Sequence, residues 1–150
     1  MPTIIDVHSH VWKFPDHFTD EFRNQASERA KADEELDLTS THEGYEATVP
    51  DGEDYIRIVF GGKGRLSGIW VDDNHVADFV RQHPTKAIGF LAVDPTQPNW
   101  QEELEYGHQE LGMCGIKLMP MYAGFMPQDT LLDPLWSYAT KHNLPVLLHT

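Results

Sequence analysis

Short apolar runs that recur about every thirty residues limit what this chain can fold into more than any other feature. They lie at residues 3–11, 55–60, 87–93, 115–119 and 145–149. Each is rich in Ile, Val, Leu or Phe and is bounded by Gly, Pro or Asp. Continuous apolar character over so few residues suits strands covered on both faces, as in parallel sheets. The last four runs begin at 55, 87, 115 and 145, so their spacings are 32, 28 and 30 residues, the size of a strand–helix–strand unit of about 30 residues. Helical patterns fill the gaps. Residues 74–83 carry Val76, Phe79 and Val80 at helical spacing and stop before Pro84. Residues 99–111 run between Pro98 and Gly112, and residues 133–142 open with Asp133-Pro134 and end at Asn143. The alternation predicts an α/β fold with a parallel sheet and right-handed crossovers, either doubly wound or part of a (β/α)8 barrel.

One stretch breaks the rhythm. Residues 12–54 separate the first two strands, and within 16–54 there are 13 acidic and three basic residues, a net of −10. Most of the chain's formal charge of −13 therefore sits in one insertion. Its composition permits a helix over residues 19–36. Two readings stay open for it: a solvated surface excursion, or a lid over the C-terminal end of the first strand. The acidity argues against nucleic acid and against an anionic membrane surface as partners. No apolar stretch reaches the roughly 18–20 residues of a membrane span, and residues 1–11 lack the basic and apolar regions of a signal peptide. The single Cys114 has no internal disulfide partner and fits a reducing compartment. The expectation is a cytoplasmic protein acting on a small molecule.

His8-Ser9-His10 carries the strongest chemical signal. Alternate residues of a strand share a face, so both imidazoles point the same way, about 6–7 Å apart along the strand. Asp6 has the same parity, while Ile5 and Val7 have the opposite one and are expected to pack under helices. His149 closes another apolar strand, at the carboxyl end where α/β sheets and barrels build their sites. Three histidines from two strands match catalytic zinc with an open fourth position; hydrogen-bonded core histidines are the other reading. Lys117 stands inside the apolar strand 115–119. It either faces the pocket, against a substrate carboxylate or the metal, or reaches water at a strand end. Lys63 and Arg65 lie in the Gly-rich segment 61–65 on the expected site face, where they hold a substrate anion unless the segment is a plain loop. Trp12, Phe14 and His17 line the pocket or pack the insertion. His75, His83, His108 and His142 fall on helices or their ends. Cys114 is expected to behave as a small hydrophobe.

The opening IIDVHSH, the strand GIKLMP, the closing NLPVLLHT and the segment RQHPTKAIGFLAVDP together resemble the amidohydrolase-related superfamily. The branch they resemble includes aminocarboxymuconate-semialdehyde decarboxylase. The resemblance covers most of the chain outside the insertion. It implies a TIM barrel, with His8 and His10 matching first-strand metal ligands and His149 the fifth-strand ligand. Lys117 matches a fourth-strand position that other branches use as a carboxylated, metal-bridging lysine. In this branch a single divalent metal is usual, so Lys117 is expected as a catalytic group and not as a ligand. The metal is expected to be zinc, with manganese or iron as alternatives.

The family's sixth-strand catalytic histidine and eighth-strand aspartate have no match. Residues 1–150 thus read as the N-terminal portion of such a barrel, about five strands of eight, with little turnover expected from this part alone. The expected function is metal-dependent hydrolysis of a C–N or C–O bond. One alternative is nonoxidative decarboxylation of a small aromatic or unsaturated acid by the same cage. The other is a non-catalytic half-barrel that assembles with another chain or with copies of itself.

Overall fold

The computed structural model describes residues 3–30 and 37–150. In chain order the elements are β1 (Thr3–His10), α1 (Asp20–Ala30), α2 (His42–Glu46), β2 (Asp54–Phe60), β3 (Lys63–Gly64), β4 (Ile69–Trp70), α3 (Asp73–Gln82), β5 (Ala87–Gly89), β6 (Leu91–Ala92), α4 (Trp100–Gln109), β7 (Ile116–Leu118), α5 (Pro120–Ala123), α6 (Asp133–His142) and β8 (Val146–Leu148). Strands β1, β2 and β5 pair in that order, and β6, β7 and β8 pair in theirs, every pair parallel.

The two triplets meet in one run of chain. At Phe90 the backbone changes partners: the Phe90 amide donates to the Val59 carbonyl at 2.9 Å and the Leu91 amide to the Gly115 carbonyl at 3.0 Å. The apolar run expected at 87–93 is therefore β5 and β6 with a break between them. Gly115 makes the break possible, because a Cβ there would lie 2.4 Å from the Phe90 ring. Strand order follows sequence order, as the thirty-residue rhythm requires of a barrel wall.

Helices α3, α4 and α6 cover the outer face. Val76, Ala77, Leu104, Leu135 and Ala139 are buried against Val59, Leu91, Ile116 and Leu118. Local chemistry sets their ends. The Asp72 carboxylate accepts the Asn74 amide ahead of α3, and Asn143 turns left-handed after α6 with φ 54°.

The structure differs from expectation in three places. A small hairpin of β3 and β4 follows β2. Ile5 and Val7 do not pack under helices; they are 56% and 54% exposed. Cys114 is exposed and not a buried hydrophobe.

The insertion is anchored at several points. The Thr19 amide donates to the Gly68 carbonyl and the Ser40 amide to the Trp12 carbonyl. The Phe14 amide donates to the Thr39 hydroxyl. Buried Arg57 of β2 reaches the Glu46 carboxylate at 3.0 Å and the Tyr45 carbonyl at 2.8 Å. Of the helix expected over 19–36, α1 accounts for Asp20–Ala30; residues 31–36 lie outside the described residues. Among the described residues no helix is long and apolar enough to cross a membrane.

Candidate active site

The carboxyl ends of β1, β2, β7 and β8 gather the groups of interest. His8 and His10 project from β1 with ring centroids 5.3 Å apart. Two imidazoles on one tetrahedral zinc, each about 2.0–2.1 Å from the ion, have centroids about 5 Å apart. Phe60, the register partner of His10 on β2, forms the floor. Its ring lies edge-on to His8 at 5.2 Å and to His10 at 4.8 Å. Trp12 stacks on the other side of His10 at 4.0 Å.

The Nδ1 of His10 lies 3.2 Å from the Gly61 carbonyl. A carbonyl only accepts, so Nδ1 carries the proton and Nε2 presents a lone pair. Burial holds His10 down to about 3, although the Gly61 bond works the other way. It is a neutral imidazole at physiological pH.

The irregularity of β1 lies between Asp6 and Ser9, where the register with β2 shifts. Asp6 causes it locally: its carboxylate accepts the His8 amide at 3.0 Å and the Ser9 hydroxyl at 2.8 Å. Asp6 therefore orients the histidine segment through backbone, and its hydrogen bonds go to no imidazole ring.

Lys117 of β7 is fully buried, and its ammonium has no hydrogen-bond partner. It lies 4.6 Å above the centroid of the same Phe60 ring that His8 and His10 meet. Burial pulls its pKa down to about 8. Its charge lowers the pKa of His8, His10 and His149, in each case after burial, as expected for neighbours. His149 follows β8, pinned by its amide to the Leu118 carbonyl at 2.9 Å. Its ring meets Tyr122 edge-on at 4.9 Å, and its Nδ1 is buried with no partner.

The Gly-rich segment behaves differently. Lys63 lies on β3, and its buried ammonium binds Asp73 and Glu103, each at 2.8 Å. Burial opposes its charge, but the two carboxylates outweigh that and raise its pKa. Lys63, expected either to hold a substrate anion or to lie in a plain loop, is engaged in ion pairs within the protein. Its partners are 10 and 40 residues away in sequence, and nothing local announces them. Arg65 is exposed and lies 3.9 Å over the Trp70 ring. None of the hydrogen bonds or ring contacts of either residue reaches the histidines.

The remaining histidines form pairs outside the site: His17 with His75 at 4.6 Å, His42 with His83 at 3.9 Å and His108 with His142 at 5.0 Å. Sequence reasoning missed Phe60 and Tyr122. Phe60 had a signal, because pairing the ends of the first two strands places it beside His10. Tyr122 had none.

A family model described as amidohydrolase matches residues 5–150. The chain belongs to the amidohydrolase family. No curated protein sequence matches it. Among solved structures, this amidohydrolase is similar to 4-oxalomesaconate hydratase from Rhodopseudomonas palustris, with a TM-score of 0.56 and 19% identity over 98% of the chain. It is also similar to the IDCase of Metarhizium anisopliae, with a TM-score of 0.57 and 18% identity over 99% of the chain. It spans 52% and 50% of those two chains, about half of each. The likeness shows the fold: parallel (β/α) units of a TIM barrel, incomplete at five strands.

Amidohydrolase-superfamily members are typically metal-dependent. The donor chemistry fits: three imidazoles with depressed pKa, one held as an Nδ1–H tautomer and one with an orphaned buried Nδ1. Among the described residues, no three His, Cys, Asp or Glu side chains are already closed around one point as a metal cage.

Proposed function

We propose that this chain carries the metal-binding part of a hydrolase in which water attacks a C–N or C–O bond of a small molecule. His8, His10 and His149 hold the divalent cation, zinc before manganese or iron on the strength of an all-imidazole donor set. When bound, such a cation lowers the pKa of water and polarises a carbonyl.

The chain's own groups supply the rest. The Gly61 carbonyl and the Trp12 ring fix the His10 imidazole, and Asp6 fixes the β1 backbone that carries both histidines. Phe60 excludes water from below. Lys117, with no partner and a pKa near 8, holds or gives a proton at its Nζ close to neutral pH. The observation that carries this reading is that Lys117 Nζ and His149 Nδ1, two of the four buried side-chain polar atoms without a partner among the described residues, both lie at the carboxyl ends of these strands. A buried polar atom without a partner costs about 1–3 kcal/mol and is rare unless a ligand satisfies it.

The test is elemental analysis of the purified protein against His8→Ala and His149→Ala. The expected result is one divalent metal per chain in wild type and its loss in both variants; unchanged metal in both would refute the site. The same Lys117 ammonium also supports decarboxylation of a small acid, since it pairs with a carboxylate. Release of carbon dioxide from an aromatic or unsaturated acid, in place of a hydrolysis product, would select that chemistry. The exposed Ile5 and Val7 favour a third reading, a half-barrel assembled with another chain or a second copy. Size-exclusion chromatography with metal analysis separates it from a monomeric enzyme.

A further inference from the structure

The acidic insertion takes hold of the backbone that carries His10. The Val11 amide donates to the Phe60 carbonyl at 2.8 Å, which seats this peptide unit on β2. In a trans peptide the N–H and C=O of one unit point in opposite directions. The His10 carbonyl belongs to the same unit, which is not cis, so it faces the other edge of β1. Among the described residues no strand pairs with that edge. The partner is a side chain instead: the Tyr45 hydroxyl of α2 donates to the His10 carbonyl. Two residues on, the Trp12 carbonyl accepts the Ser40 amide at 2.9 Å. Residues 10–12 are thus gripped by β2 on one side and by the insertion on the other.

Tyr45 is itself held from two directions. Helix α2 has five residues, too few to stand without outside support. The Thr41 hydroxyl caps it by accepting the Gly44 amide at 3.0 Å. Buried Arg57 of β2 supplies the rest: its guanidinium donates to the Tyr45 carbonyl at 2.8 Å and to the Glu46 carboxylate at 3.0 Å, and lies 5.0 Å from the centroid of the Tyr45 ring. One side chain therefore fixes the Tyr45 backbone by a hydrogen bond and its ring by a cation–π contact. An imidazole is aimed only as well as the backbone behind it. The Gly61 carbonyl and the Trp12 ring restrain the His10 ring, and a ligand site needs its groups held within about 0.5 Å.

We propose that Tyr45 is the positioning residue of His10 and that Arg57 acts through it, so that the insertion braces the first strand and sets how tightly the histidine site takes a divalent cation. The cation rests on the hydrolase reading; the brace rests on the hydrogen bonds of residues 10–12 and 45. Tyr45 acts on backbone and touches no ligand.

The experiment compares wild type with Tyr45→Phe, Arg57→Lys and Asp72→Ala. The first removes one hydroxyl and keeps the ring over Arg57. The second keeps the buried charge and loses the fork. The third removes the cap of α3, whose hydrogen bonds go to Asn74 alone. Cobalt is titrated into each while tryptophan emission is followed, and long-range 15N–1H spectra of the metal-free proteins report the His10 tautomer. Cobalt affinity should fall at least about tenfold in Tyr45→Phe, the low end for loss of a group that orients a metal ligand, and by a smaller factor in Arg57→Lys. Asp72→Ala should lose stability in urea and bind cobalt as wild type does. His10 should show one Nδ1–H form in wild type and a mixture in Tyr45→Phe.

Wild-type cobalt affinity in Tyr45→Phe would overturn the brace. So would an equal loss in Asp72→Ala, which would make the effect one of general stability. Wild-type affinity in Arg57→Lys would remove Arg57 from the path. A wild type that takes no cobalt refutes the metal reading and not the brace, which the spectra then decide: a His10 mixture in Tyr45→Phe sustains it, and an unchanged single form overturns it.

Discussion

Lys63 and Lys117 are both withdrawn from water, 4% and 0% exposed, and both lie beside an aromatic face. Their surroundings otherwise have nothing in common. Lys63 meets two carboxylates, one of which, Asp73, also accepts the Ala92 amide at 2.9 Å and so ties α3 to β6. Lys117 lies over a ring, and its charge lowers the pKa of three imidazoles. A satisfied buried charge holds parts of a fold in register, whereas an unsatisfied one makes folding harder and persists where another molecule completes it.

The largest expected effect breaks the first half of that contrast. Lys63→Met leaves the Asp73 carboxyl buried without its cation, and should destabilise by about 3–5 kcal/mol in urea unfolding. A loss below about 1 kcal/mol would show that the network is ornamental. Next is Lys117→Met, expected to stabilise by about 1–3 kcal/mol because it removes an unpartnered buried donor. A destabilised Lys117→Met would mean that the ammonium has a stabilising partner in the fold.

The sign of its pH dependence follows from the shift. The folded pKa of about 8 lies below the usual 10.5, so the unfolded chain binds the proton more tightly. Wild-type stability should rise relative to Lys117→Met as pH increases from about 8 towards 10.5, and the gap should stay constant below 8. A gap that widens over that window would reverse the assignment.

Glu103→Gln sharpens the contrast. Glu103 is only partly buried, its amide replacement still accepts from Lys63, and Asp73 remains; the expected loss is about 1 kcal/mol. The smallest effect serves as a control: Asp78→Ala removes the exposed partner of Arg81 and should change stability by less than about 0.5 kcal/mol.

The same contrast explains what was legible in the amino-acid sequence. Short-range patterns were: the five parallel strands, the bounds of α6 and the common placement of His8 and His10 follow from periodicity and capping within about ten residues. Lys117 stood out because an ammonium in an apolar strand is chemically conspicuous wherever its neighbours fall. The ion pairs of Lys63 were not legible because its carboxylates arrive from α3 and α4. The shift in β1 was hidden because it depends on Asp6 folding back onto its own strand, which period-two counting cannot register. The outward Ile5 and Val7 were misjudged because alternation tells which face a side chain takes, not what covers it. The meeting of α1 with Tyr122 is a tertiary fact with no local trace.

Trp12 has a practical consequence. Its indole is stacked on His10 at 4.0 Å, and no ring contact of Trp70, Trp100 or Trp136 involves His8, His10 or His149. The molecule thus carries an intrinsic fluorophore against one of the candidate ligand imidazoles. Cobalt or copper seated on that imidazole would quench the emission, so occupancy can be followed optically in real time without a label or a known substrate.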